Sequence, residues 1–201
     1  MNCTSLHTVK NSSSSMQEKF AEAIELVLAE NYRVLQLAIQ LQIEEFGKRI
    51  IDSNHIFVCG EGRSGLVARM IAMRLMHLGC QVYVVGETTT PSIKTNDLLI
   101  ACSGSGSTET VCAIASKAKA IGAHLVTVTA NKLSPLARLA DLSLELATST
   151  KQEPDRSRSQ QFAGSLFEQS TLLLFDALFY VLSQLLDKDT QTLWAFHTNL
   201  E

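Results

Sequence analysis

The sequence predicts an α/β protein: a three-layer α/β/α sandwich with a five-stranded parallel sheet. Short apolar runs rich in β-branched residues alternate with helical patterns, which favours parallel strands joined by helices. These runs lie at 55–60, 81–86, 97–102, 124–129 and 141–146. They are apolar almost throughout, as expected for strands covered on both faces. We predict the strand order 2-1-3-4-5, with extra helices at both ends of the chain.

The N-terminal part divides into a tail and a helical region. Residues 1–15 are polar and serine-rich, so we predict a disordered tail, followed by a single domain over 16–201. Ser15 and Glu18 have the spacing of a capping box, which predicts a helix start. The helical pattern runs to about residue 51, and we expect Asn31 to divide it into two helices. Its surplus apolar positions are consistent with contact to another subunit.

Three further helical patterns complete the domain. The patterns at 66–78 and 108–121 are each followed by a glycine, the usual residue just past a helix end. The pattern at about 161–186 is apolar almost all round, which predicts a buried helix. Between the last strand and this helix, residues 148–161 are polar and charged. They form either a lid or a solvated connection.

Composition excludes several classes of protein. Of 201 residues, 46% are hydrophobic and 18% charged, and the net charge of −3 provides no basic surface for nucleic acid. No apolar run is long enough to predict a membrane span. The five cysteines show neither paired spacing nor a metal-ligand pattern. We therefore expect reduced thiols, no metal site and a cytoplasmic protein.

The loop after the first strand contains GxGxxG, formed by Gly60, Gly62 and Gly65. It joins a strand to a helix, which is the context of a dinucleotide-binding fingerprint, and Glu87 follows the second strand near the expected position of a ribose-binding acid. NAD binding is therefore one interpretation. Against it, Arg63 and the next residue, a serine, place a charge and a hydroxyl where the turn faces a ligand.

The loop after the third strand reads SGSGST over residues 103–108. With strand order 2-1-3-4-5, this loop and the first glycine-rich loop meet at one crevice, where ligands bind in such sheets. Hydroxyls, backbone N–H groups and a helix N-terminus suit a phosphate group. The candidate phosphate-binding residues are Ser103, Gly104, Ser105, Gly106, Ser107 and Thr108. A plain serine-rich turn remains the alternative.

Glu168 is the candidate catalytic residue. It shares one face of the last long helix with apolar residues, and a carboxylate there is costly unless it is paired or used. A favourable position near a helix start is the structural alternative. His55, His77 and His124 are expected to be structural, with His77 suiting the C-terminal end of its helix. His197 becomes an acid–base candidate only if the C-terminus docks on a neighbouring subunit.

Together, these motifs resemble the sugar isomerase domain family, and within it the 6-phospho-3-hexuloisomerase group. The resemblance runs from about Ala29 to the C-terminus. It is carried by GEGRSGLVARMIAMRLMHLG at 60–79, VYVVGETTTPSIKTNDLLIACSGSGST at 82–108, GSLFEQSTLLLFDALF at 164–179 and HTNLE at 197–201.

The resemblance implies an isomerase that interconverts D-arabino-3-hexulose 6-phosphate and D-fructose 6-phosphate in the ribulose monophosphate pathway of formaldehyde fixation. It also implies a cytoplasmic homotetramer without a cofactor, acting after 3-hexulose-6-phosphate synthase. Neither nucleic acid nor a membrane is an expected partner. A different phosphosugar isomerase, acting on arabinose 5-phosphate or sedoheptulose 7-phosphate, and a non-catalytic phosphosugar-sensing module remain alternatives.

The resemblance also implies roles for individual residues. The loop at 103–108 would hold the phosphate, Ser64 would contact the substrate, and Glu168 would transfer a proton through a cis-enediolate. A C-terminal histidine, here His197, lies near a neighbouring active site in related isomerases. Arg63 and Glu87 are expected to support these groups from behind.

Three positions depart from the family pattern. Glu61 replaces the usual alanine, Ser107 the usual glutamate and Thr198 the usual alanine. The first two bear on substrate affinity.

Overall fold

The computed structural model describes residues 15–40, 42–150 and 157–200. The elements, numbered in chain order, are α1 (Met16–Ala38), α2 (Ile43–Asp52), β1 (Ile56–Gly60), α3 (Gly62–His77), β2 (Val82–Val84), β3 (Leu98–Cys102), α4 (Glu109–Ile121), β4 (His124–Thr129), α5 (Pro135–Leu139), β5 (Leu142–Glu145), α6 (Ser165–Leu185) and α7 (Thr190–Ala195). The sequence predicted all five strands to within two residues at either end.

The five strands form one parallel sheet in the order β2-β1-β3-β4-β5, which confirms the predicted topology. β1 and β3 are neighbours although α3 and β2 separate them in the chain. Their last residues, Gly60 and Cys102, lie opposite each other in the register. The loops that follow these two strands therefore leave the sheet side by side.

Two apolar layers cover the sheet. On one face, α1, α2, α3 and α6 pack around Phe46, Ile71 and Phe175, and the rings of Phe46 and Phe175 meet edge to face at 5.4 Å. On the other face, α4 and α5 pack around Phe57 and Leu125. Because both faces are covered, the strands are apolar on both sides, as the sequence indicated.

The N-terminal helix confirms one prediction and contradicts another. Ser15 and Glu18 form the expected capping box, in which each side chain bonds the other residue's backbone N–H. The predicted break at Asn31 is wrong, because α1 continues to Ala38. The Asn31 amide donates to Val27 O and to Gln169 Oε1, so bonds within α1 and to α6 satisfy a side chain that often ends a helix. Of the predicted disordered tail, 1–15, residues 1–14 lie outside the described residues and Ser15 is the N-cap of α1.

Local signals decide most other helix ends. Gly79 and Gly122 follow α3 and α4 with φ angles of 91° and 93°, as predicted for helix stops. α3 begins at Gly62, earlier than the apolar pattern suggested. Two short helices, α5 and α7, were not predicted, although Ser134 and Asp189 cap their first turns.

α6, which carries Glu168, is a helix of 21 residues with many buried side chains. By its length and composition alone, α6 is long and apolar enough to cross a membrane, which the sequence analysis did not anticipate. Half of its most apolar stretch of 18 residues is buried, and the helix packs against α1, α2 and α3. This packing is typical of a core helix in a soluble domain.

Candidate active site

A cavity of about 200 Å³ opens at the carboxyl ends of β1 and β3. Four segments line it: the loops after β1, β3 and β5, and the start of α6. The lining residues are Glu61, Gly62 and Ser64; Cys102, Ser103, Gly104, Ser105 and Thr108; Ser149 and Thr150; and Gly164, Phe167 and Glu168. The structure therefore brings the two glycine-rich loops and Glu168 to one site.

The loop after β3 is organised by its own hydroxyl groups. Ser103 Oγ lies 3.1 Å from Thr108 Oγ1 and accepts a hydrogen bond from the N–H of Gly106 at 3.2 Å. The N–H of Ser107 donates to Ser105 Oγ at 3.2 Å. Gly106 and Ser107 do not line the cavity, so they shape the loop while Ser103, Ser105 and Thr108 face the space inside it.

The connection after β4 holds this loop from behind. The N–H of Ala130 donates to Gly104 O at 2.9 Å, and that of Leu136 donates to Gly106 O at 3.0 Å. Gly106 has a φ of 61°, and a Cβ there would lie 2.0 Å from Ser134 Oγ. A side chain at this position is therefore excluded both by the backbone conformation and by contact.

Two helices begin at the cavity. Thr108 is the N-cap of α4 and Glu61 is the N-cap of α3, yet neither side chain bonds the first turn of its own helix. Ser64, in the first turn of α3, is 8% exposed and lines the cavity. The positive ends of both helix dipoles therefore point toward a space that hydroxyl groups also line, which suits an anion.

Glu168 lies in the first turn of α6, and its side chain is 3% exposed. Its Oε2 accepts a hydrogen bond from Nε of Arg63, whose side chain is 62% exposed. The carboxylate that the sequence placed on an apolar stripe is thus ion-paired with an exposed residue in the first turn of α3. Burial of this charge is tolerated because a cation compensates it.

Besides Arg63, Gly106 and Ser107, two more sequence-predicted residues, Glu87 and His197, do not line the cavity. Glu87 pairs with Arg69 of α3 at the surface. The ring of His197 stacks on that of His77 at 5.2 Å and contacts that of Trp194 in a tilted arrangement at 4.8 Å, and His197 lines a separate cavity of about 290 Å³. Within one chain the structure therefore does not bring His197 or Glu87 to Glu168.

Two of the histidines expected to be structural, His55 and His77, lie close to other ionisable side chains. His55 Nδ1 lies 3.0 Å from Asp97 Oδ1, just before β1. Burial lowers the pKa of His77, as do the charges of His197 and Arg74. The neutral form of His77 is therefore favoured, so the expected benefit of a charged histidine at the end of α3 does not apply.

Sequence reasoning did not identify Cys102, at the end of β3, or four other lining residues as part of the site. Ser149 and Thr150 follow β5, and Gly164 and Phe167 lie at the start of α6. The only signal was the polar segment 148–161, interpreted as a lid or a connection. Residues 151–156 lie outside the described part of the chain. Ser149 and Thr150, which come directly before residue 151, line the cavity.

Burial favours the protonated thiol at the four cysteines among the described residues. Burial, and then the charge of Glu61, raise the pKa of Cys59 to about 12. Burial and the neighbouring Cys59 also raise the pKa of Cys102. Cys59, Cys80, Cys102 and Cys112 are free thiols. Among the described residues, no group of three His, Cys, Asp or Glu side chains is arranged to hold a metal ion.

Residues 49–179 match the SIS domain, the sugar isomerase family that the sequence motifs resemble. The chain belongs to the SIS domain family. The matched region includes β1, the GxGxxG loop, the loop at 103–108 and Glu168. The GxGxxG loop therefore lies within a SIS domain, and the motif alone does not assign it to a dinucleotide.

Individual relatives of this SIS domain carry a more specific name. A 3-hexulose-6-phosphate isomerase of Mycobacterium gastri is 44% identical over 160 residues, 80% of each chain. A 3-hexulose-6-phosphate isomerase of Bacillus subtilis is 36% identical over 184 residues, 91% of this chain and 100% of the relative.

A solved structure supports the same grouping. The crystal structure of a Methanococcus jannaschii protein, from which a 3-hexulose-6-phosphate isomerase function was inferred, is 34% identical with a TM-score of 0.78. The alignment covers 90% of this chain and 99% of that one. The SIS fold therefore extends over nearly the whole chain, including helices beyond residues 49–179.

Proposed function

We propose that this protein is a 3-hexulose-6-phosphate isomerase that interconverts D-arabino-3-hexulose 6-phosphate and D-fructose 6-phosphate. The observation that carries the proposal is the 44% identity to a relative of that name over 80% of both chains. The cavity is consistent with it, because a hydroxyl-lined loop and a buried carboxylate share one small space.

The phosphate of the substrate would bind in the loop after β3. Ser103, Ser105 and Thr108 supply hydroxyl groups, and the N-terminus of α4 supplies backbone N–H groups and the positive end of a dipole. Ser64 would contact the sugar from α3. Binding at this end places the carbons of the sugar chain toward α6, where Glu168 lies.

Glu168 would act as the base. Moving the carbonyl from C3 to C2 requires that a proton leaves C2, giving a cis-enediolate, that a proton returns at C3, and that the hydroxyl proton passes from O2 to O3. One carboxylate on one face of the enediolate can perform both transfers. Arg63 would fix the orientation of this carboxylate, and Ser64 with nearby N–H groups would stabilise the negative charge on the enediolate oxygen.

We propose that His197 takes part from a second subunit of a homotetramer. Large apolar side chains are exposed on several helices, as expected for subunit contacts: Phe20 and Leu28 on α1, Leu66 and Met70 on α3, and Tyr180 and Leu185 on α6. Mixing and reassociating inactive Glu168→Gln and His197→Ala subunits tests this role. Recovered activity supports a shared site, and none after verified subunit exchange contradicts it.

The metabolic setting follows from the substrate. The enzyme would act in the cytoplasm, directly after a 3-hexulose-6-phosphate synthase, as the second step of formaldehyde fixation in the ribulose monophosphate pathway. Such a position requires no tight complex with the synthase, because the product of one enzyme can diffuse to the other.

A coupled assay tests the proposed function. Ribulose 5-phosphate, formaldehyde and a hexulose phosphate synthase generate the substrate, and fructose 6-phosphate is measured as the product. The folded protein should form product at a rate proportional to its concentration, and Glu168→Gln serves as the matched blank. Arabinose 5-phosphate and sedoheptulose 7-phosphate are tested in parallel. Phosphosugar binding without turnover of any of them would instead indicate a sensing module.

A further inference from the structure

Glu61 places a carboxylate at the phosphate end of the cavity. It is the N-cap residue of α3, with φ −117° and ψ 151°, but its side chain does not bond that helix. Instead, its Oε1 accepts a hydrogen bond from Oγ1 of Thr110 at 2.9 Å. Thr110 is the second residue of α4, so the carboxylate lies at the N-terminus of α4.

The carboxylates of Glu61 and Glu168 have different neighbours. Among the described lining residues, these two are the charged side chains. Glu168 is compensated by the guanidinium of Arg63, whereas the hydrogen-bond donor to Glu61 is a neutral hydroxyl. Within the described part of the chain, no ion pair balances the Glu61 carboxylate, so a phosphate in the loop at 103–108 would meet its charge directly.

We propose that Glu61 sets the charge preference of the phosphate subsite. Its carboxylate partly neutralises the positive potential at the N-terminus of α4, so it weakens binding of the doubly charged phosphate ester. A singly protonated phosphate is repelled less and can donate a hydrogen bond to the carboxylate. This inference rests on the proposed function, because it assumes that a phosphate ester occupies the cavity.

Other ionisable groups near the subsite stay in place when Glu61 is replaced. Glu168 faces it from α6 with its partner Arg63, and Glu109 belongs to the first turn of α4. Cys102 lies at the end of β3, where burial and Cys59 raise the pKa of its thiol. The difference between Glu61→Gln and the wild type therefore isolates the effect of one carboxylate.

Calorimetric binding of fructose 6-phosphate and of inorganic phosphate tests the proposal. Phosphate monoesters change charge near pH 6, so binding is measured at about pH 5.5 and about pH 8. We expect Glu61→Gln to bind fructose 6-phosphate about tenfold more tightly at about pH 8, with a change below about twofold at about pH 5.5. Thr110→Val, which frees the carboxylate to move away, should give a smaller shift in the same direction.

Glu109→Gln is the matched control, because it removes the same charge from the same helix end without lining the cavity. The proposal is overturned if Glu61→Gln and the wild type have the same pH dependence, or if Glu109→Gln has an equal effect. Should Glu61→Gln fail to fold, Glu61→Ala and Thr110→Val provide the same comparison. If fructose 6-phosphate does not bind to the wild type, the proposed function fails, while inorganic phosphate still reports on Glu61.

Discussion

The guanidinium of Arg63 is hydrogen-bonded to the carboxylate of Glu168, which links the first turn of α3 to the first turn of α6. The two residues are 105 positions apart in the chain. The pair joins the glycine-rich loop after β1 to the proposed base. The fold thereby fixes the position of a buried carboxylate relative to the loops that would hold the substrate.

Removing the proposed base should abolish most of the activity. We expect Glu168→Gln to reduce kcat by about 10²- to 10⁴-fold, because a positioned base contributes that much to proton transfer. The coupled assay measures this. The control is Asp176→Asn, which removes an exposed carboxylate from the same helix, where it pairs with Arg74. The base assignment is wrong if folded Glu168→Gln retains near wild-type turnover.

Removing the partner of the base should affect both stability and activity. Arg63→Met removes the cation that pairs with the buried carboxylate of Glu168, so we expect the free energy of unfolding to fall by about 2 kcal/mol. Urea denaturation of Arg63→Met, Glu168→Gln and the double variant measures the coupling. The double variant should lose less than the two single variants combined. Strictly additive losses would show that the pair contributes nothing to stability.

Alanine substitutions at two glycines with positive φ distinguish the cost of backbone strain from the cost of steric contact. Gly62 and Gly106 have φ angles of 57° and 61°, but only at Gly106 would a Cβ meet other atoms within 4 Å. We expect Gly62→Ala to cost about 1 kcal/mol and Gly106→Ala about 2 kcal/mol more, since Ser134 must also move. Gly106→Ala should in addition weaken phosphate binding by at least about tenfold. Equal losses in both variants would argue against the contact.

Glu30 anchors the segment that leads into α6. Its carboxylate accepts hydrogen bonds from Ser159 Oγ at 2.7 Å, from the N–H of Gln160 at 2.7 Å and from Nε2 of Gln161 at 2.9 Å. Burial raises the pKa of Glu30, but these bonds and the charge of Arg33 outweigh burial and lower it. The ionised carboxylate is therefore the form that stabilises the fold.

The stabilisation by Glu30 should disappear in acid. A lowered pKa means that the contribution is complete above the ordinary pKa of a glutamate, about 4.3, and is lost as the pH falls through the lower folded-state pKa. We expect Glu30→Gln to be about 2 kcal/mol less stable at about pH 7, with a difference that shrinks toward about pH 3.5. Glu25→Gln, at an exposed position of α1, is the control. A difference independent of pH would contradict the prediction.

The sequence was sufficient for the topology because alternating strand and helix patterns leave few arrangements of a parallel sheet. The same patterns located both glycine-rich loops and the buried helix that carries Glu168. They failed at Asn31, where bonds to Gln169 and Ser170 of α6 outweigh the local tendency of asparagine to end a helix. They also missed Ser149 and Thr150, since nothing in a polar segment indicates that it borders a cavity.

By itself, the sequence determined the fold class, the strand order and the residue types available for phosphate binding and proton transfer. These follow from periodicity, glycine positions and helix-start signals, which act over a few residues. Only the tertiary structure decided that Arg63 compensates Glu168, that Glu61 turns from its own helix to Thr110 of α4, and that His197 lies apart from Glu168 within one chain. Such pairings depend on which residues of separate elements come into contact, and the packing of the helices on the sheet determines those contacts.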